Sequence, residues 1–109
     1  MARSKLSSDD LSAIADLDRM VHSPARLMIL AYLYAAGSSD FIFLMNETGL
    51  TRGNLSSHMS ILEEAGYVRV KKEFSNKRPL TLLSLTSKGR AAFKAYRRSM
   101  KQFLDDVPE

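Results

Sequence analysis

The side chains best suited to chemistry in this sequence lie on one face of a short predicted helix. The helix is expected over about residues 52–65, and its polar face carries Arg52, Gly53, Asn54, Ser56, Ser57 and Ser60. Small hydroxyl and amide side chains allow a helix to approach base pairs closely, and they hydrogen-bond phosphates and base edges. The pattern predicts contact with duplex DNA. The alternative is that a serine-rich face is only a solvated helix surface.

A basic hairpin is expected directly after this helix. From residue 68 to residue 71, valine alternates with a basic residue, which is the period of a half-buried strand. Residues 75–79 have the composition of a turn, and residues 80–85 form the return strand. The candidate DNA contacts in the hairpin are Lys72, Lys77 and Arg78. The alternative is that the charges only protect an exposed hairpin from aggregation.

The charge of the chain is unevenly distributed. The 16 Lys and Arg residues and 12 Asp and Glu residues give a net charge of +4. Residues 66–109 hold eleven of the basic residues and four of the acidic ones, so this part carries a net charge of +7. Such an asymmetry favours a basic surface for a polyanion, although a solvated basic face explains the charge alone equally well.

The composition limits the class of protein. A chain of 109 residues with 45% hydrophobic residues is expected to form one folded domain. The absence of cysteine excludes disulfides and thiolate metal sites. No apolar run approaches the roughly 20 residues of a membrane helix, and the N-terminus lacks a signal peptide. We therefore expect a cytoplasmic protein with no membrane contact.

Motifs for catalysis or metal binding are missing from the sequence. It has no glycine-rich phosphate loop, no nucleophile elbow and no paired motif carboxylates. The two histidines, His22 and His58, belong to different predicted elements, whereas zinc sites usually take four ligands. We expect a protein that is not an enzyme and that binds neither metal nor cofactor.

Two helices are predicted within the first 36 residues of the chain. Ser8 is expected to cap a first helix that runs to about Val21, with Leu11 and Ile14 on its apolar face. Residues 23 and 24, serine and proline, predict the start of a second helix that is apolar nearly all round and ends before Gly37. A helix of that kind usually forms the centre of a small domain.

The middle of the chain completes a helix-turn-helix unit. Residues 40–43 are ambiguous between a short edge strand and the start of a helix that contains Leu44 and Met45. Gly49 breaks the chain, and Thr51 can cap the polar helix. Three helices joined by short turns predict a helix-turn-helix.

The last helix is expected to begin after Thr86 and to carry a seam of large apolar residues. The seam, spaced by three and four residues, consists of Phe93, Tyr96, Met100, Phe103 and Val107. Together with Leu11 and Ile14, these residues predict a dimer interface. The alternative is that the seam packs on the first helix of the same chain.

Three sequence segments carry a resemblance to a known family. They are Ser-Pro-Ala-Arg at residues 23–26, Leu-Glu-Glu-Ala-Gly-Tyr-Val at residues 62–68 and Leu-Thr-Ser-Lys-Gly-Arg at residues 85–90. The chain resembles, over roughly residues 22–104, the small winged-helix transcriptional regulators close to the MarR and ArsR groups. The resemblance implies a homodimer, a recognition helix at about 52–65, a wing at about 71–82 and a dimer interface formed by the flanking helices. Without cysteine, the metal sensing of some ArsR-like relatives is not expected.

These observations predict a mainly α fold with a small β-hairpin, a winged helix-turn-helix with flanking dimerisation helices. One domain spans residues 1–109, with an N-terminal helix at 8–22, the winged core at 23–85 and a C-terminal helix at 86–105. The expected function is a sequence-specific regulator, a repressor, that binds double-stranded DNA as a homodimer on an inverted repeat. The alternative is a winged-helix protein interaction module that does not bind DNA. A small hydrophobic effector is also considered, in a pocket lined by Tyr32, Tyr34, Phe41 and Phe43.

Overall fold

The computed structural model describes residues 6–109, in which five helices and three strands follow one another. They are α1 (Ser8–Ala15), α2 (Pro24–Ala36), β1 (Ser38–Asp40), α3 (Phe41–Thr48), α4 (Arg52–Glu64), β2 (Val68–Ser75), β3 (Arg78–Leu85) and α5 (Ser87–Asp106). The strands form one antiparallel sheet in the order β1-β3-β2. This arrangement confirms the predicted class, a mainly helical winged helix-turn-helix.

The first helix differs from its prediction at both ends. Its cap is Ser7 rather than Ser8: the Ser7 hydroxyl accepts from the Asp10 backbone N–H, and the Asp10 carboxylate accepts from the Ser7 backbone N–H. The helix also ends at Ala15 instead of continuing to about residue 22. In the loop of residues 16–23, Asp18 accepts from the Met20 backbone N–H, a local bond that competes with helical pairing.

The second helix is the centre of the core, as predicted. Ile29, Leu30 and Leu33 of α2 are fully buried. Pro24 occupies the first turn, and Gly37 ends the helix at φ 87°, a conformation that favours glycine. The core also includes side chains from the loop, the sheet and every helix from α2 to α5, namely Leu17, Val21, Phe41, Leu44, Leu55, Leu62, Val68, Leu83, Phe93 and Tyr96.

The ambiguous segment at residues 40–43 proves to be the junction of a strand and a helix. Strand β1 pairs with β3 and ends at Asp40, whose carboxylate then accepts from the Phe43 backbone N–H and caps α3. Gly49 ends α3 in the left-handed conformation, and Thr51 caps α4, both as predicted.

The hairpin turn is shorter than its predicted five residues. Asn76 and Lys77 alone connect the strands, with φ of 53° and 65°, and Ser75 pairs directly with Arg78. Two residues with positive φ make the turn whose twist matches that of antiparallel strands. Strand β3 therefore begins at Arg78 and contains Pro79, which is tolerated because β1 pairs only with residues 82–84.

The fifth helix packs on its own chain along much of the predicted seam. The Phe93 ring lies 5.0 Å from the Tyr34 ring, and the Tyr96 hydroxyl lies 2.8 Å from Nδ1 of His22. Only 9% of Phe93 and 7% of Tyr96 is exposed, and Met100 is half-buried against the core. Phe93 and Tyr96 therefore make their contacts within the chain, and their place in a dimer interface stays a prediction.

The face of α5 near its C-terminal end lies against α1. Asp9 and Ala13 of α1 and Ser99 and Phe103 of α5 line a common cleft. Leu11 of α1, Leu104 of α5 and Val107, the residue after α5, remain exposed, whereas Ile14 is half-buried against the core. Within residues 6–109, no helix combines the length and the apolar character that crossing a membrane requires.

Candidate nucleic-acid interface

The polar face of α4 is oriented by the burial of the opposite face. The Thr51 hydroxyl accepts from the Asn54 backbone N–H at 3.1 Å, which fixes where the helix begins. Leu55 and Leu62 are fully buried, so the rotation of the helix about its axis is set by the core. The residues predicted to contact DNA consequently face outward: Arg52, Gly53, Asn54, Ser57 and Ser60 are exposed, and Ser56 is half-buried.

The polar groups of this face are available to a ligand. Within residues 6–109, the side chains of Asn54, Ser57 and Ser60 make no hydrogen bond to another part of the protein. Each can therefore donate and accept hydrogen bonds outside the chain. A helix in the major groove uses such groups to read base edges.

Gly53 has no role in packing that would explain a glycine inside a helix. A Cβ atom built at this position would meet nothing within 4 Å. Glycine inside a helix lowers stability by roughly 0.5–1 kcal/mol relative to alanine. Its position on the exposed face of the first turn suits the close approach of another molecule's backbone.

Arg52 connects the start of α4 with the wing, which comprises β2, β3 and their turn. The Arg52 guanidinium lies 5.7 Å from the centre of the Phe41 ring, within cation–π distance. Arg52 and Phe41 also line a cleft of about 270 Å³ whose other wall includes Pro79 and Thr81 of β3. The recognition helix and the wing thus meet at one open groove.

The wing carries three cations that form no ion pair with another residue of the described chain. Lys72, Lys77 and Arg78 are exposed and have no ion pair among the described residues. Lys71, on the other face of β2, pairs instead with Glu73 at 3.4 Å. The three cations predicted to contact DNA are therefore free to meet phosphates.

Arg26 is a supporting residue whose role no pattern in the sequence predicts. Its Nε donates to the Met20 carbonyl at 2.8 Å and its Nη2 to the Arg19 carbonyl at 3.2 Å. Its Nη1 lies 3.2 Å from Nδ1 of His58 in α4, and since a guanidinium only donates, Nδ1 accepts. Arg26 therefore ties the α1–α2 loop to the recognition helix. The sequence signal that could have pointed to this role is the place of Arg26 in the Ser-Pro-Ala-Arg motif at residues 23–26.

The junction of α4, β2 and α5 is held by a second group of contacts. The Lys88 ammonium donates to the Ala65 carbonyl at 2.9 Å, and the Thr86 hydroxyl donates to the Gly66 carbonyl at 2.6 Å. Gly89 is required here, because a Cβ on it would overlap the carbonyl oxygen of Tyr67. These contacts fix the angle at which the wing leaves the recognition helix.

Neither the histidines nor the aromatic residues form a common site. His22 bonds to Tyr96 and His58 to Arg26, and within residues 6–109 no group of three or more His, Cys, Asp or Glu side chains could hold a metal. The four aromatic residues considered for an effector pocket are divided among three places in the fold. Tyr32 lies against Phe43 at 5.9 Å, Tyr34 against Phe93, and Phe41 beneath Arg52.

Comparisons with known proteins agree with this geometry. Residues 25–104 match the family model described as a winged helix DNA-binding domain. An uncharacterised protein of Methanocaldococcus jannaschii is 41% identical over 78 residues, which cover 72% of this chain and 85% of the relative. The solved structure of a transcriptional regulator homologue from Pyrococcus horikoshii has a TM-score of 0.82 and 30% identity, and the match covers 89% of this chain and 95% of that one. A MarR-family regulator from Silicibacter pomeroyi has a TM-score of 0.64 and 23% identity, covering 88% of this chain and 64% of that one.

Proposed function

The chain belongs to the winged helix DNA-binding domain family, and we propose that it is a sequence-specific transcriptional regulator acting on double-stranded DNA in the cytoplasm. The observation that carries this proposal is the unpaired polar face of α4 beside a wing with unpaired cations. The similarity to a transcriptional regulator homologue from Pyrococcus horikoshii supports the regulatory role.

In this proposal, α4 enters the major groove with its N-terminal half toward the bases. The groove is about 12 Å wide, which admits one helix. Asn54 and Ser57 are exposed and unpaired, so they can bond to base edges. Gly53 allows the backbone of the first turn to come close to the DNA, and Arg52, Ser56 and Ser60 complete the contact surface.

The wing supplies affinity more than sequence information. Lys72, Lys77 and Arg78 are exposed cations, and phosphate contacts by such side chains position a protein without reading sequence. Arg78 and Lys77, at the tip, can also sense a narrow minor groove, whose negative potential attracts basic side chains. The wing is thus the salt-dependent part of the interface.

A homodimer is proposed because one winged helix contacts too few base pairs for specificity in a genome. The apolar side chains available for it are Leu11 on α1, Leu104 on α5 and Val107 directly after α5, with the accessible parts of Ile14, Met100 and Phe103. A two-fold dimer recognises an inverted repeat whose half-sites lie about one helical turn apart, or a multiple of it.

The expected regulatory effect is repression, because a dimer on an inverted repeat occludes the DNA that it covers. A small-molecule effector stays a prediction without an assigned pocket, since Tyr32 packs on Phe43 while Tyr34 packs elsewhere, on Phe93 of α5. A reporter gene placed downstream of the selected site would show the sign of regulation directly.

Selection from a random library of duplexes, repeated at several salt concentrations, tests the proposal. We expect enrichment of an inverted repeat and an affinity that falls steeply as salt rises. A protein interaction module of the same fold would enrich no sequence and would show no salt-sensitive DNA binding. That result would overturn the proposed function.

A further inference from the structure

Phe74 is an aromatic side chain on the wing that the rest of the chain leaves uncovered. It lies in β2, two residues before the turn, and 77% of it is exposed, the largest value among the exposed large hydrophobic residues of the described chain. Its partner across the ladder is Pro79. A cross-strand partner normally covers part of a ring, but here most of the ring remains accessible.

The face of the wing that carries Phe74 is the one turned toward the recognition helix. Side chains alternate along a strand, so Phe74 lies on the same face as the core residues Val68 and Val70. Pro79, its ladder partner, lines the cleft shared with Arg52 at the start of α4. A duplex bound to α4 would therefore run past the Phe74 ring.

The charges around the ring favour DNA over a second copy of this chain. Lys72 lies on the same face, and Lys77 and Arg78 follow within four residues, all exposed and unpaired in the described chain. Two wings that met through their Phe74 rings would bring these like charges together, which is unfavourable. Duplex DNA offers phosphates for the cations and apolar deoxyribose surface for the ring.

The distance of the ring from the tip matches the depth of the minor groove. A strand advances about 3.4 Å per residue, so Phe74 lies about 7 Å behind Asn76. The minor groove is about 7.5 Å deep. With the tip inside the groove, the ring stands at its mouth. We propose that Phe74 packs against the deoxyribose wall of the minor groove, a proposal that rests on the function proposed above.

The test compares Phe74→Ala and Phe74→Leu with Ser75→Ala, a control on the opposite face of the same strand. The probe is a fluorescently labelled mixed-sequence duplex of about 30 base pairs, roughly three helical turns, titrated at several salt concentrations. Phe74→Ala should weaken binding about tenfold because an apolar contact is lost. The slope of affinity against salt should not change, since an apolar contact releases no counterions. Phe74→Leu should retain most of the affinity, and Ser75→Ala should match the parent.

Any of four outcomes would overturn the proposal. Equal affinity of Phe74→Ala and the parent would remove the contact while leaving the proposed function intact. A lower salt slope in Phe74→Ala would mean that the ring acts by positioning the basic tip. A lower thermal unfolding midpoint in Phe74→Ala would assign the ring to hairpin stability. If the parent protein itself bound no duplex, the proposed function and this inference would both fall.

Discussion

The hydroxyl of Tyr67, at the start of the wing, donates a hydrogen bond to the carboxylate of Asp18 in the α1–α2 loop. The two residues are 49 positions apart in the sequence. Burial, and then the hydrogen bond and charge of Asp18, raise the pKa of Tyr67 to about 12. The loop after α1 and the base of the wing are therefore coupled through a phenol that must stay protonated.

This coupling predicts a loss of stability at high pH that Tyr67→Phe should lack. Since the folded-state pKa of about 12 is above the ordinary value of 10.0, the contribution is complete below pH 10 and is lost toward pH 12. Below pH 10, the free energy of unfolding of Tyr67→Phe should be about 1 kcal/mol lower than that of the parent, because the hydrogen bond to Asp18 is missing. Denaturant unfolding of both proteins across this range measures the difference. Tyr96, whose pKa burial also raises, titrates in both proteins and cancels. Parallel pH profiles would contradict the prediction.

Local signals in the sequence predicted the fold well because most elements begin and end at residues with special backbone chemistry. Thr51 caps α4, Gly37 ends α2, and the alternation after residue 67 predicted β2. The apolar periodicity of residues 11–21 predicted a longer first helix because it does not report local side-chain bonds, such as the one that Asp18 accepts from the Met20 backbone N–H in the loop after Ala15. The hydrogen bond between Tyr96 and His22 could not be predicted from local patterns, because it joins residues 74 positions apart.

In the candidate site, too, some features were predictable from local sequence signals and others were not. The outward face of α4 was predictable because burial of Leu55 and Leu62 leaves the polar residues outside. The roles of Arg26 and Lys88 were not predictable. Lys88 and two of the Arg26 nitrogens donate to carbonyl groups, which every residue carries, and the third Arg26 contact is to His58, 32 positions away. The five-residue turn was predicted too long because its composition does not show which residues take positive φ.

Replacing Gly53 by alanine should change stability and DNA binding in opposite directions. The new methyl group meets no protein atom within 4 Å, so the helix should gain roughly 0.5–1 kcal/mol in free energy of unfolding. The same methyl group would stand between α4 and the DNA backbone and should weaken binding. Thermal unfolding and a duplex titration measure the two effects. Unchanged DNA affinity in the stabilised variant would show that the first turn of α4 does not approach DNA closely.

Asn54→Ala combined with Ser57→Ala should change which duplexes are preferred. Both side chains are exposed and make no hydrogen bond within the described chain, so their removal should leave the fold intact. A contact to a base edge contributes roughly 1–3 kcal/mol of discrimination. Selection from a random library should therefore give a preference matrix that is relaxed at the positions contacted. An unchanged matrix would mean that α4 does not read the bases.

Lys77→Ala combined with Arg78→Ala should weaken binding nearly equally for all sequences. Each phosphate contact that is lost lowers the slope of affinity against salt by about 1. Lys71→Ala is a matched control, because Lys71 already pairs with Glu73 at 3.4 Å. A double variant with the affinity and salt slope of the parent would exclude the wing from the interface.

The dimer prediction depends on apolar side chains that the chain does not cover. Leu11 is 55% exposed on α1 and Leu104 is 59% exposed on α5. These helices lie against each other, so the two side chains can belong to one surface. Burial of a large apolar side chain contributes roughly 1.5–3 kcal/mol, which makes a few such residues sufficient for a stable dimer. Tyr96 is unsuitable for the test because it is buried in the chain, and its replacement by aspartate would unfold the protein.

Leu11→Asp combined with Leu104→Asp should therefore give folded monomers that bind DNA much more weakly than the parent. Charges at these positions oppose burial in an interface, whereas exposure in the monomer leaves the fold unaffected. Sedimentation reports the mass, circular dichroism the helix content and duplex titration the affinity. Ile42→Asp, which changes an exposed residue of α3, serves as the control for mass. The parent protein itself should sediment as a dimer at micromolar concentration. If it sediments as a monomer, both free and on DNA, the dimer model and the inverted-repeat prediction are wrong.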